Sequence, residues 1–92
     1  MQPAILIVED DAELARALAR FFRAHRPVET AGTLAEARKL LAEPRDWSAV
    51  ILDLMLPDGL GLDLLDEIRA KQMQMPVLVL TGELDRGFVN RA

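Results

Sequence analysis

Three short apolar runs punctuate the chain, separated by stretches whose apolar residues recur every three to four positions. "AILIV" (4–8), "AVIL" (49–52) and "VLVL" (77–80) are uninterrupted and rich in branched side chains, as strands buried on both faces are. After the first run the period changes. Leu14, Leu18, Phe21 and Phe22 fall at i, i+4, i+7 and i+8, which predicts a helix over 11–24 with those four residues on its inner face. Pro27 forbids simple continuation, and the half-polar "PVET" (27–30) suits an edge strand. Thr33, three residues before Glu36, has capping-box spacing and opens a second helix with Leu34, Ala37, Leu40 and Leu41 inward, closed by Pro44. "Pro57-Asp58-Gly59" is a turn, after which residues 62–71 form a third helix carrying Leu64, Leu65 and Ile68 inward. The last ten residues, "ELDRGFVNRA", read as the first turns of another helix.

Strands alternating with helices, with apolar runs as the central strands, predict an α/β domain: a parallel sheet with helices on both faces. Right-handed crossovers then bring the C-terminal ends of the strands to one rim, where ligands bind in such folds. Glu9, Asp10 and Asp11 arrive there after the first strand, Asp53 after the third and Thr81 after the fourth.

Composition narrows the choice of partner. The chain has 92 residues, enough for one domain (1–92) with a single, modest core. Its formal net charge of −4 gives this segment no electrostatic reason to hold nucleic acid; basic partners or divalent cations suit it better. With no cysteine, disulfides and thiolate metal sites are excluded, in keeping with a cytoplasmic setting. The apolar runs fall far short of the ~20 residues that span a bilayer, so no membrane is expected. No basic region precedes the first run as it would in a signal peptide. Nine of the eleven cations are arginine; the two lysines are Lys39 and Lys71.

Carboxylates that converge on one rim repel one another, which raises at least one pKa. A hard cation such as Mg²⁺ relieves the repulsion, and Thr81 offers a neutral hydroxyl to a phosphoryl oxygen. An acidic pair, a lone acid and a hydroxyl together suit phosphoryl transfer to Asp53, with the carboxylate as nucleophile. A P-loop is excluded because no G-x-x-x-x-G-K stretch occurs.

"ILIVEDD", "ILDLMLPDGLG" and "PVLVLTG" together resemble the strand ends of the response-regulator receiver domain of bacterial two-component signalling, in order along the whole chain. The resemblance implies a flavodoxin-like doubly wound sheet of order 2-1-3-4. It implies that Asp53 accepts a phosphoryl group from a histidine kinase or phosphotransfer protein. It further implies that Glu9 and Asp10 form the acidic pocket, that Asp10, Asp53 and the Met55 carbonyl hold Mg²⁺, and that Thr81 is the switch hydroxyl. Any catalysis would be limited to Mg²⁺-dependent self-phosphorylation and autodephosphorylation. The family has a fifth strand, ending in a lysine that pairs with the phosphoryl group, and a fifth helix. Here the fifth strand and helix are expected to be lacking. Neither Lys39 nor Lys71 follows a strand, and the only cations after Thr81 are Arg86 and Arg91. The chain thus looks like a receiver truncated after its fourth strand. It is expected either to self-associate, through the edge of "VLVL" or by exchanging elements, or to be a fragment of a longer regulator.

Plainer roles compete at each position. Asp10 or Asp11 can cap the first helix, Asp53 can end a strand at a turn, and Thr81-Gly82 is turn chemistry. His25 reads as a solvated residue at a helix end, and Met73 and Met75 as packing residues. At the level of function, the alternative to a phosphoacceptor is a receiver-derived interaction or scaffold fragment without a working switch. A phosphohydrolase with an aspartyl-phosphate intermediate needs an acid two residues after its nucleophile, where this chain has Met55.

Overall fold

The structure, a computed structural model, describes residues 2–80 and the backbone of 88–90. Strand β1 (Ala4–Val8) is followed by helix α1 (Ala12–Phe22), β2 (Val28–Ala31), α2 (Leu34–Leu41) and β3 (Trp47–Asp53). A two-residue hairpin, β4 (Met55–Leu56) with β5 (Gly59–Leu60), leads into α3 (Gly61–Ala70), then β6 (Val77–Leu80) and β7 (Phe88–Asn90). The main sheet runs β2-β1-β3-β6-β7, its first four strands all parallel. This is the expected 2-1-3-4 arrangement. It places β1, buried throughout, and β3, buried at Trp47 and at residues 50–52, at the centre, as their apolar runs require. Among the described residues no helix is long and apolar enough to cross a membrane.

Two layers of core lie on the two faces of this sheet. One packs Leu6, Val8, Val50, Leu52, Val77 and Val79 against Leu34 and Ala37 of α2 and Leu64, Leu65 and Ile68 of α3, with Met73 and Met75 filling its edge. The other packs Ile5, Ile7, Val28 and Ile51 beneath α1. Alternation along each strand sends successive side chains to opposite layers.

The last stretch corrects the sequence reading. Residues 88–90 form a strand, not the start of a helix, and they pair antiparallel with β6, Val79 opposite Val89. The edge of "VLVL" expected to lie open is therefore paired within the chain, and a fifth strand stands where none was expected. An unpaired row of backbone donors and acceptors beside a buried strand is costly, and a nearby extended segment relieves it.

Helix α1 also sits differently from its periodicity. Its buried residues are Ala15 and Ala19, flanked by the packed side chains of Leu18 and Phe22. Leu14 is 39% and Phe21 66% exposed. The alanines let the helix lie close to the sheet, and that rotation turns two of the four predicted inner residues outward. The other helices follow the prediction, Leu34 and Ala37 of α2 and Leu64, Leu65 and Ile68 of α3 being buried.

Candidate functional site

Beyond the C-terminal end of β1 the apolar run breaks into Glu9, Asp10 and Asp11, and the three acids take different work. Asp11 is the N-cap of α1; its Oδ1 accepts from the backbone N–H groups of Glu13 (3.0 Å) and Leu14 (3.2 Å), which satisfies two of the helix's free donors. That leaves Asp10 free of the capping role, exposed and beside Glu9. Glu9 turns inward and is only 6% exposed, the one buried charged residue among those described. Its backbone donates to Ala31 across the sheet and its Oε2 accepts from the Asp11 N–H at 3.0 Å.

Asp53 is the last residue of β3 and is half-buried. Carboxylate oxygens of Glu9, Asp10 and Asp53 all lie within 4.8 Å of one another. The parallel register of β1 with β3, Val8 beside Leu52, is what makes the two strand ends coincide. The electrostatic consequence follows directly. Burial, and then the neighbouring Asp53 charge, push the Glu9 carboxyl up to about 7, although the Asp11 N–H opposes this. Burial likewise raises Asp53, with the charge of Asp10 adding to it, against hydrogen bonds from Met55 and Leu54 backbone N–H groups and from the Glu9 side chain. The cluster therefore favours taking up a proton or a cation.

The residues present fit a hard divalent ion. The donors are all oxygen, they converge from two strand ends, and the buried member has its ionisation suppressed by burial and then by the neighbouring Asp53 charge. Met55, the remaining expected ligand through its carbonyl, opens β4 directly after Asp53 and Leu54, its side chain 68% exposed. Thr81 lies outside the described residues. Of the lysines, Lys39 lies within α2 and Lys71 caps the C-terminal end of α3; neither ends a strand.

Two features of the loop after Asp53 go beyond the turn expected from "Pro57-Asp58-Gly59". The Asp58 carboxylate reaches across to α2, accepting from the Leu34 N–H at 2.8 Å and the Ala35 N–H at 3.0 Å; those bonds hold its pKa below the usual range. Thr33 caps the same helix, through Glu36 N–H at 3.1 Å, while the Glu36 carboxylate accepts from Gly32 N–H. Glycine is demanded twice. Gly59 has φ +152°, and a Cβ there would meet Leu34 Cδ1 at 2.7 Å. A Cβ on Gly61 would overlap the Asp53 carbonyl oxygen, and the Gly61 N–H donates to Leu54 at 2.7 Å. The first turn of α3 is thereby pressed against the backbone that carries Asp53. A sequence can show "DGLG"; it cannot show that the aspartate belongs to a helix 23 residues away.

The family model of the response regulator receiver domain matches residues 5–92. The photosynthetic apparatus regulatory protein RegA of Rhodovulum sulfidophilum is 42% identical over 82 residues, covering 87% of this chain and 44% of that protein. The chain thus spans less than half the length of the curated relatives it matches. Among solved structures, the non-phosphorylated HemR receiver domain of Leptospira biflexa superposes with a TM-score of 0.78 at 42% identity, over 89% of this chain and 66% of that one. A response regulator from Burkholderia pseudomallei, with a phosphorylated aspartic acid, a calcium ion and citrate, gives 0.77 at 31% identity, over 90% and 49%.

Proposed function

Because this chain belongs to the response regulator receiver domain family, we propose that it is a phosphoacceptor, taking a phosphoryl group onto Asp53 from a histidine kinase or phosphotransfer protein. The observation that carries this reading is the meeting of Glu9, Asp10 and Asp53 within 4.8 Å at the ends of two adjacent parallel strands. Support comes also from the Burkholderia pseudomallei relative, whose structure has a phosphorylated aspartic acid and a bound calcium ion.

In the transfer, a carboxylate oxygen of Asp53 attacks the phosphorus of a phosphohistidine. A new P–O bond forms as the P–N bond breaks, and the departing imidazole nitrogen keeps the electron pair, leaving a neutral imidazole whose proton sits on the other ring nitrogen. Backbone N–H groups of Leu54 and Met55 hold the Asp53 carboxylate, and Gly61 braces its main chain. Glu9, Asp10 and Asp53, with the Met55 carbonyl, are the residues that would hold Mg²⁺. When bound, the ion offsets the charge of the carboxylates and of the arriving phosphoryl oxygens. Thr81 supplies the switch hydroxyl in this reading, and a single receiver unit in a cytoplasmic setting is its context.

Incubation with a small phosphodonor and Mg²⁺, followed by intact-mass measurement, tests the proposal. One phosphoryl adduct is expected, removed by Asp53→Asn and dependent on the divalent ion. No adduct on the wild type would leave the second reading, an interaction fragment without a working switch. That reading is favoured by the positions of Lys39 and Lys71, neither of which serves the rim. The self-association expected at "VLVL" needs another surface, since residues 88–90 already pair there.

A further inference from the structure

We propose that Asp58 is a positioning residue for the acidic site: it fastens the tip of the β4–β5 hairpin to the start of α2 and so fixes how two groups of metal ligands face each other. The inference rests on the reading of Glu9, Asp10, Asp53 and the Met55 carbonyl as Mg²⁺ ligands. Those ligands come from separate stretches of backbone. Glu9 and Asp10 follow β1, whereas Asp53 and Met55 belong to the end of β3 and the start of the hairpin. Sheet register aligns the two stretches only as far as Val8 beside Leu52 and Asp53 beside Leu80. Beyond Asp53 the chain leaves the main sheet, and other contacts decide where Met55 lies. A hairpin whose strands are two residues each cannot hold its own shape in water, so its place is inherited from its anchors.

The anchors converge on residues 31–35. On the β1 side, the Glu9 N–H donates to the Ala31 carbonyl at 2.9 Å. On the hairpin side, Met55 pairs with Leu60 and Leu56 with Gly59, which leaves Asp58 at the tip. Its Oδ1 accepts from the Leu34 N–H at 2.8 Å and its Oδ2 from the Ala35 N–H at 3.0 Å, 24 and 23 residues away along the chain. The backbone of Gly59 closes against Leu34 as well, where a Cβ would stand 2.7 Å from Cδ1. Both groups of ligands are thus tied to one short segment, and Asp58 holds the hairpin's end of the tie with two charge-assisted bonds. Thr33 and Glu36 already form a capping box on α2, through the Glu36 N–H at 3.1 Å and the Gly32 N–H at 2.7 Å, but that device is local to the helix. What Asp58 adds is a link between elements. Supporting groups one step removed from an ion set the geometry of its ligands, and with it the affinity.

A Mg²⁺ titration followed by backbone amide NMR shifts tests this on the whole chain, with no phosphorylation step in the readout. Asp58→Ala should weaken Mg²⁺ binding about tenfold, as loss of a supporting group does at other metal sites. Asp58→Asn, which keeps one oxygen able to accept, should fall between that variant and the wild type. Thr33→Ala weakens the same helix end without touching the link to the hairpin, and its Mg²⁺ affinity should match the wild type. With a small phosphodonor, the Mg²⁺ concentration that gives half the maximal rate should rise in step with the dissociation constant. Equal affinities for the wild type and both Asp58 variants overturn the proposal. So does an equal loss in Asp58→Ala and Thr33→Ala, which makes Asp58 a helix cap and no more, and so does a wild type that binds no Mg²⁺. A wild type that binds the ion but takes no phosphoryl group removes the phosphoacceptor reading, while the titration still decides this one.

Discussion

At the scale of single residues, Glu9 is the buried acid among the described residues. Its carboxyl is raised from 4.5 to about 7 by burial and by Asp53, and Asp53 is raised in the same sense. A folded state that holds its protons more tightly than the unfolded chain is favoured at the acid end. The benefit is complete below about pH 4.5 and is lost as pH rises through about 7. Asp58 and Glu67, both shifted downward, act in the opposite sense but below this window. Metal-free protein should therefore melt at a lower temperature above pH 7 than near pH 5, and Glu9→Gln should flatten that slope. Added Mg²⁺ should raise the melting temperature most on the alkaline side. A calorimetric series across this range in chelator and in Mg²⁺ checks all three. Gly61→Ala is a separate matter, because the added Cβ would collide with the Asp53 carbonyl oxygen, which is backbone and cannot swing aside. A loss of more than about 2 kcal/mol in urea unfolding is expected, in the range of other strained or overpacked sites.

Secondary-structure elements show how far local pattern carries and where it stops. β1, β3 and β6 were legible as apolar runs, and the capping box of α2 as Thr33 with Glu36, because these signals are local. The acids at the strand ends were legible for a related reason: a parallel sheet gathers whatever follows its strands. The seating of α1 was not, since Ala15 and Ala19 carry too little hydrophobic weight to mark an inner face, yet their small size decides how the helix lies. The work of Asp58 was hidden as well. As part of "Pro57-Asp58-Gly59" it looks complete within its own turn, while its carboxylate in fact closes the N-terminus of α2 with two hydrogen bonds. Thr33 makes only one, to Glu36 N–H. Asp58→Ala should consequently lower the urea midpoint more than Thr33→Ala does, and should speed amide exchange in the first turn of α2. Equal midpoints for the two variants would mean that the second link adds nothing.

For the molecule as a whole, the distribution of cover is uneven. Two helices, α2 and α3, lie over one face of the sheet, joined by the two-pronged ion pair of Arg38 with Glu67 at 2.7 Å. Among the described residues only α1 lies over the other. At the flank, β7 takes the place beside β6 that would otherwise be an open edge. Ending the chain after Leu80 removes that strand, and the shortened protein should aggregate faster on mild heating, as followed by light scattering. Unchanged scattering would show that the pairing of residues 88–90 protects nothing.

The tight seat of Gly61 against Asp53 has a consequence for motion. Where two stretches of main chain touch with no side chain between them, there is no soft material to absorb a shift. Any displacement of the strand end that accompanied esterification of its acid would have to push the first turn of α3 with it. The helix would serve as a pointer, its far end by Lys71 reporting at the opposite side of the molecule what happened at the acid.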